Sequence, residues 1–236
     1  LHLCDRRQRQ MCIRDRDENL QRHSLNVAFT NGVIGQWLKL PEPMIKKLVC
    51  VGLVHDIGKT KVPEEILNAP RRLTEEEFEI IKAHPVYSYE LLWDNVDEDI
   101  RLAARHHHER LDGKGYPDQI AGDEISLLAR ITAISDVYDA MISQRSYKES
   151  MIPFDVLEKF KKGEFPGLDE RLVDLFVKNM VANYRDVKVQ MSDGRIGVVR
   201  YIPPNDLNHP IINCNHDVSQ TDDKWYCVRI ANQTGK

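Results

Sequence analysis

The chain has 236 residues, 42% of them hydrophobic and 30% charged, ordinary values for a folded protein whose core needs neither disulfides nor structural zinc. Its net charge of −4 excludes the broad basic surface that duplex nucleic acid requires, while leaving room for a small anion in a local basic or metal-filled cleft. No stretch approaches the ~20 apolar residues of a membrane span. The cysteines (Cys4, Cys12, Cys50, Cys214 and Cys227) include no CxxC pair. That argues against a zinc ribbon or redox motif and fits a reducing, cytoplasmic setting. Cys50, inside an apolar helical run, is expected to be a small buried hydrophobe.

Residues Leu1–Arg16 (LHLCDRRQRQMCIRDR) have neither apolar periodicity nor a signal-peptide layout. They resemble an in-frame translation of a sequencing-library adapter; the other reading is a basic, disordered arm. On the first reading natural sequence begins near Asp17, and the genomic locus is expected to encode further in-frame residues before it.

From Asp17 to about Leu40, Leu20, His23, Leu25, Val27, Ile34 and Leu38 recur at helical spacing. Pro41 and Pro43 break the pattern, and Pro43 suits the first turn of a second helix carrying Ile45, Leu48, Val49, Gly52 and Leu53. That helix is expected to end near His55-Asp56-Ile57-Gly58, with Gly58 as its C-cap. Thr74 and Glu77 form a capping box for a helix through Ala83, and Pro85 starts a new direction. Helices follow over Asp97–His107, Leu127–Ser143 and about 154–162 and 169–182, with a Gly- and Asp-rich loop over Leu111–Asp123. After Tyr184 the pattern alternates: Val187, Val189 and Met191, a turn at Asp193-Gly194, then Ile196, Val198 and Val199, with a third strand at 225–231. The reading is mainly α: a helical domain over 17–183 and a small β extension over 184–236.

His23, His55, Asp56, His84, His107, His108 and Asp136 have metal-ligand chemistry and are spread over the helical part. Taken singly, each has an ordinary reading as a hydrogen-bonded core or surface residue. His55 and Asp56, however, close an apolar helix where an unpaired charge is costly, and a cation offsets that cost. Imidazole and carboxylate suit iron, manganese or zinc. A carboxylate can also bridge two ions with its two oxygens, which makes Asp56 the bridging candidate. The loop from His107 to Pro117 places adjacent histidines beside a tight turn with an exposed Tyr116.

Three segments carry a family resemblance: LVHDIGKTKVPEEILNAPRRLTEEEFEIIKAHP, HHERLDGKGYPDQIAGDEI and ARITAISDVYDAMISQRSYK closely resemble the signature blocks of HD-GYP domains. The resemblance covers about residues 17–182; that of the β tail (VQMSDGRIGVVRYI) to an extension in some members is weaker. It implies an HD-domain helical bundle and metal ligands at His23, His55, Asp56, His84, His107, His108 and Asp136. It further implies Asp56 and Lys59 in catalysis, with Lys59, Asp139, Arg145 and Lys148 at the substrate. Gly115, Tyr116 and Pro117 form the loop that names the family, near the active site and implicated in protein contacts. His106 has no family role and reads as a surface residue. Some members hold a third metal with a Glu four residues before the first histidine ligand. Here Asn19 stands there and Glu18 is turned away by about 100°, so two divalent transition metals, iron or manganese, are expected.

The implied activity is metal-assisted hydrolysis of cyclic di-GMP to pGpG, and to GMP if cleavage continues. Alternatives are a related phosphohydrolase acting on another cyclic dinucleotide or nucleotide, and a catalytically silent docking module. HD-GYP domains are commonly outputs of longer bacterial signalling proteins, so an upstream sensor or receiver domain is expected.

Overall fold

The computed structural model describes residues 21–67, 69, 71–93, 96–143, 151–190, 194–204, 206, 207, 209–214 and 217–220. Leu1–Arg16, Glu18, Asn19, Arg145, Lys148 and the expected strand at 225–231 lie outside the described residues. The chain divides into two compact units, one within 1–148 plus 167–169 and the other within 149–166 plus 170–236.

The first unit is helical. It comprises α1 (21–37), α2 (Glu42–Val54), a 3-10 turn (Ile57–Lys61), α3 (Glu64–Leu67), α4 (Glu75–Lys82), α5 (His84–Leu91), α6 (Glu98–His106) and α7 (Leu127–Ile142). Local signals set the boundaries. Pro43 lies in the first turn of α2, and Thr74 and Glu77 exchange both bonds of the capping box at α4. Ser126 caps α7 by accepting from the Ala129 N–H.

Helix α7 is central. It buries Leu128, Ile131, Ile134 and Tyr138 together with Thr132, Ser135, Asp136 and Asp139, so its polar residues sit inside the protein. Around it lie Val27 and Ile34 of α1, Leu48 and Val51 of α2, and Ile100, Ala103 and Ala104 of α6. Each large aliphatic side chain buried this way contributes about 1.5–3 kcal/mol. Asn31, fully buried, donates to Leu48 O (3.0 Å) and Thr132 Oγ1 (2.9 Å) and so ties α1 to α2 and α7.

Two local expectations are corrected. Gly58 is no C-cap: α2 ends at Val54 with His55 as its cap, and Gly58 is buried inside the 3-10 turn. Its N–H donates to Ser88 Oγ (2.9 Å), which donates to His55 O (2.7 Å). Cys50 is exposed; two residues beyond the buried Leu48, it stands about 200° around the helix from the core face.

The second unit contains α8 (Pro153–Lys161), α9 (Glu170–Asn183) and an antiparallel sheet of β1 (Lys188–Gln190), β2 (Ile196–Tyr201), β3 (Ile211–Cys214) and β4 (Asp217–Gln220), in that spatial order. Strands β1 and β2 pair antiparallel as expected, Lys188 with Val198 and Gln190 with Ile196; Gly194 has φ 85°, and Met191 and Asp193 of the expected hairpin lie outside the described residues. Strands β3 and β4 were not anticipated. Phe160 packs edge-on to Phe176 (5.7 Å between centroids), and Val189, Val199 and Ile212 are buried. No helix among the described residues is long and apolar enough to cross a membrane.

Candidate metal centre

The first unit gathers the seven expected ligands into one buried cluster. His23 comes from α1, His55 and Asp56 from the end of α2, His84 from the start of α5, His107 and His108 from the end of α6, and Asp136 from α7. His23, His55, Asp56, His84, His107 and Asp136 are buried and His108 nearly so. Two trios, His84/His107/His108 and His23/His55/Asp56, each bring ligand atoms within 4.8 Å of one another. Asp56, a member of the second trio, also faces the first. Its Oδ1 lies 3.1 Å from His84 Nε2 and 3.8 Å from His107 Nε2; its Oδ2 lies 3.4 Å from His55 Nε2 and 3.6 Å from His23 Nε2. Asp136 also spans the cluster, with Oδ1 3.1 Å from His23 Nε2 and Oδ2 3.9 Å from His108 Nδ1.

Three histidines are aimed by the same local device. His55 and His107 cap the C-termini of α2 and α6, and His84, two residues past the end of α4, opens α5. Their Nδ1–H groups donate to the carbonyl three residues back: Gly52 O (2.9 Å), Ile81 O (2.7 Å) and Ala104 O (2.7 Å). A carbonyl can only accept, so Nδ1 carries the proton and Nε2 presents its lone pair to the centre.

That arrangement fits a metal. His84 Nε2 faces Asp56 Oδ1 across 3.1 Å and His107 Nε2 across 3.4 Å, lone pair against lone pair, which is repulsive unless a cation lies between. Such separations match the spacing of neighbouring ligands around an ion with bonds of about 2.1 Å. His55 Nε2 and Asp56 Oδ1 are buried without a hydrogen-bond partner. Orphaned buried acceptors of this kind call for an ion.

Charge follows position. Burial holds the His107 pKa well below the ordinary value near 6.5 and lowers that of His55, against the pull of Asp56 on each. Burial also depresses His108 to about 3, despite Asp136. Burial opposes ionisation of Asp56 and Asp136, but neighbouring cations and histidines hold both well below the usual carboxylate range. His23 is the exception: burial is outweighed by Asp136 and Asp139, and its pKa rises to about 9. A pKa raised on folding contributes stability that is complete below the unfolded value near 6.5 and disappears as pH climbs through about 9. The chelated protein is therefore expected to lose thermal stability between pH 6.5 and 9, and His23→Gln should flatten that slope. Melting curves across this range check it.

Lys59, on the 3-10 turn, places Nζ 2.5 Å from Asp56 Oδ2 and remains partly open to solvent. Gly115-Tyr116-Pro117 lies against the ligand segment. A Cβ at Gly115 would sit 2.4 Å from Glu109 Cα, so only glycine permits this approach. Tyr116 is half-buried rather than exposed: its ring stacks on His108 (4.6 Å, 29°), and burial raises its pKa. The buried Glu109 holds the loop by accepting from the Asp118 and Gln119 N–H groups (2.7 and 3.0 Å). His106, expected as a surface residue, meets the same loop at Asp118 (3.0 Å), beside Arg105.

Asp139, expected at the substrate, lies beside His23. It is 1% exposed, and both its oxygens are taken, Oδ2 by His23 Nδ1 (2.6 Å) and Oδ1 by Asn26 Nδ2 (2.8 Å). No free acceptor on it faces solvent. Neither Glu109 nor Asn26 was singled out from sequence, where a Glu after two histidines or an Asn one turn after a histidine carries no local signal.

A family model described as HD domain matches residues 7–164, a span that includes part of the stretch set aside above. The chain belongs to the HD domain family, within its HD-GYP group. It is similar to the cyclic di-GMP phosphodiesterase PA4108 of Pseudomonas aeruginosa, 37% identical over 190 residues, 79% of this chain and 45% of that protein. It is 38% identical over 165 residues to the 3′3′-cGAMP-specific phosphodiesterase 1 of Vibrio cholerae, 69% of this chain and 38% of that protein. The chain thus spans less than half the length of these two relatives. Bd1817, an HDG"Y"P protein from Bdellovibrio bacteriovorus, superposes with a TM-score of 0.57 at 16% identity over 68% of this chain and 52% of that one, a likeness of fold alone. Phosphohydrolases of the HD family are metal-dependent, and the cluster described above suits that chemistry.

Proposed function

We propose that the chain is a metal-dependent phosphodiesterase that hydrolyses cyclic di-GMP to pGpG, and to GMP if the second bond is also cut. The observation that carries this reading is Asp56, whose two oxygens face different histidine pairs, Oδ1 toward His84 and His107 and Oδ2 toward His55 and His23. His23, His55, Asp56, His84, His107, His108 and Asp136 would hold two divalent ions, and an all-nitrogen and oxygen donor set without thiolate favours iron or manganese. When bound, such ions polarise a phosphate and activate water. The chain's own residues do the rest. Nδ1–H bonds keep the His55, His84 and His107 rings in the ligating tautomer. Lys59 brings a positive charge to the Asp56 edge of the site, where charge develops on the phosphate oxygens. Tyr116 fixes the His108 ring by stacking. Arg145 and Lys148 take the second phosphate, Arg145 through a bidentate fork. Protein contacts through the loop would fall to its outward side, since Tyr116 faces His108.

The test is metal analysis and hydrolysis of a panel: cyclic di-GMP, 3′3′-cGAMP and cyclic di-AMP. About two ions per chain and activity lost on chelation are expected, and full activity after exhaustive chelation would overturn the reading. A different cyclic dinucleotide is the second reading, because the two relatives above act on different dinucleotides at nearly equal identity. Arg145→Ala should weaken substrate binding or turnover on the order of tenfold to a hundredfold, as loss of a charge-assisted bond does. Its metal content should be unchanged; loss of metal from that variant would count against a substrate role.

A further inference from the structure

We infer that Asp139 is the positioning carboxylate of His23 and acts on the metal centre through that ring. The inference rests on the two-metal reading above. His55, His84 and His107 each borrow a carbonyl from the end of a helix. His23 cannot do the same, because helix α1 continues from it through residue 37 and its interior carbonyls serve the helix's own ladder. The partner comes instead from α7, where Asp139 Oδ2 accepts from His23 Nδ1 at 2.6 Å. Asn26, one turn after His23, donates to the other oxygen at 2.8 Å and prevents the carboxylate from rotating. The clamp sends His23 Nε2 toward Asp56 and Asp136. Outer partners of this kind fix ring orientation and raise ligand basicity, and their loss typically lowers metal affinity about 10–100-fold.

The discriminating variant is Asp139→Asn, which keeps shape and volume. With Asn26 unchanged, the new amide accepts from Asn26 and turns its NH2 to His23. Nδ1 must then accept, the ring proton moves from Nδ1 to Nε2, and the lone pair facing the centre is lost. Adding Asn26→Asp reverses this: the carboxylate at 26 accepts the amide NH2, and the amide oxygen again accepts from His23 Nδ1. Manganese content and affinity are to be measured on the full chain after equilibrium dialysis, with circular dichroism as the check on folding. The expected result is a fall from about two ions to about one in Asp139→Asn, with the spectrum unchanged and content restored in the double variant. Asn26→Ala, which loosens the clamp without touching the ring partner, should weaken manganese binding by up to about tenfold and guards against misfolding of the first variant. Two ions held with wild-type affinity by Asp139→Asn, with only a raised KM, would overturn the inference and return Asp139 to the substrate. A wild-type chain that binds no metal would overturn the functional reading and this inference with it.

Discussion

Replacing Asp56 with alanine is expected to lower turnover by at least about 10³-fold and to leave less than one metal ion per chain. Asp56 is 2% exposed and approaches His23, His55, His84, His107 and Lys59, so its removal breaks several contacts at once. Of the two carboxylates in the ligand set, Asp136 alone would remain, and its contacts reach only His23 and His108 of the rings. Lys59 loses its partner, but it is partly open to solvent and can turn outward, so the fold should survive. The control is His106→Ala, which touches Asp118 and none of the seven ligands. It should leave metal content and turnover near wild type. Comparable losses in both variants would show that the ligands are misassigned.

Gly58→Ala should be nearly as damaging, although position 58 bears no side chain. A Cβ there would lie 2.0 Å from His84 O, 2.5 Å from Ser88 N and 2.8 Å from Ser88 Oγ. Two of these are backbone atoms of α5 and cannot step aside singly. The 3-10 turn must therefore lift from α5, separating Asp56 and Lys59 from His84 and breaking the Gly58–Ser88–His55 chain of hydrogen bonds. Overpacking of this kind costs roughly 3 kcal/mol or more, a melting-point loss of roughly 6–12 °C. Metal occupancy should fall with it. Calorimetry and metal analysis on the purified variant decide the matter; a wild-type melting point with full occupancy would mean that the turn accommodates the methyl group at no cost.

Much of the helical fold was legible because its signals are local. The prolines before α2, the Thr74–Glu77 box and the apolar period of α7 each act within a few residues. The clustering of the candidate ligands was legible for a different reason: the motif segments are long enough for the family resemblance to select them, where His55-Asp56 alone would not have. What escaped the sequence is long-range. That Gly58 lies against α5 depends on the packing of two elements 30 residues apart. Cys50 faces outward because the helix rotation, not the local hydropathy, decides the core face. Asp139 matched a substrate-contacting position by motif, yet its burial between His23 and Asn26 arises from the crossing of α1 and α7. Strands β3 and β4 were missed because the short runs around Ile211–Cys214 and Asp217–Gln220 pair through the sheet and lack a clear alternating pattern of their own.

His55 and His107, which cap α2 and α6, mark two helix C-termini converging on the buried cluster. Aligned peptide dipoles leave each such end with up to about half a negative charge, so the backbone itself adds to the field of Asp56 and Asp136. A phosphodiester approaching this cluster meets repulsion from all of them until cations are in place. The order of occupancy, cation first and anionic nucleotide second, then follows from how the helices are laid out, and no single side chain needs to enforce it.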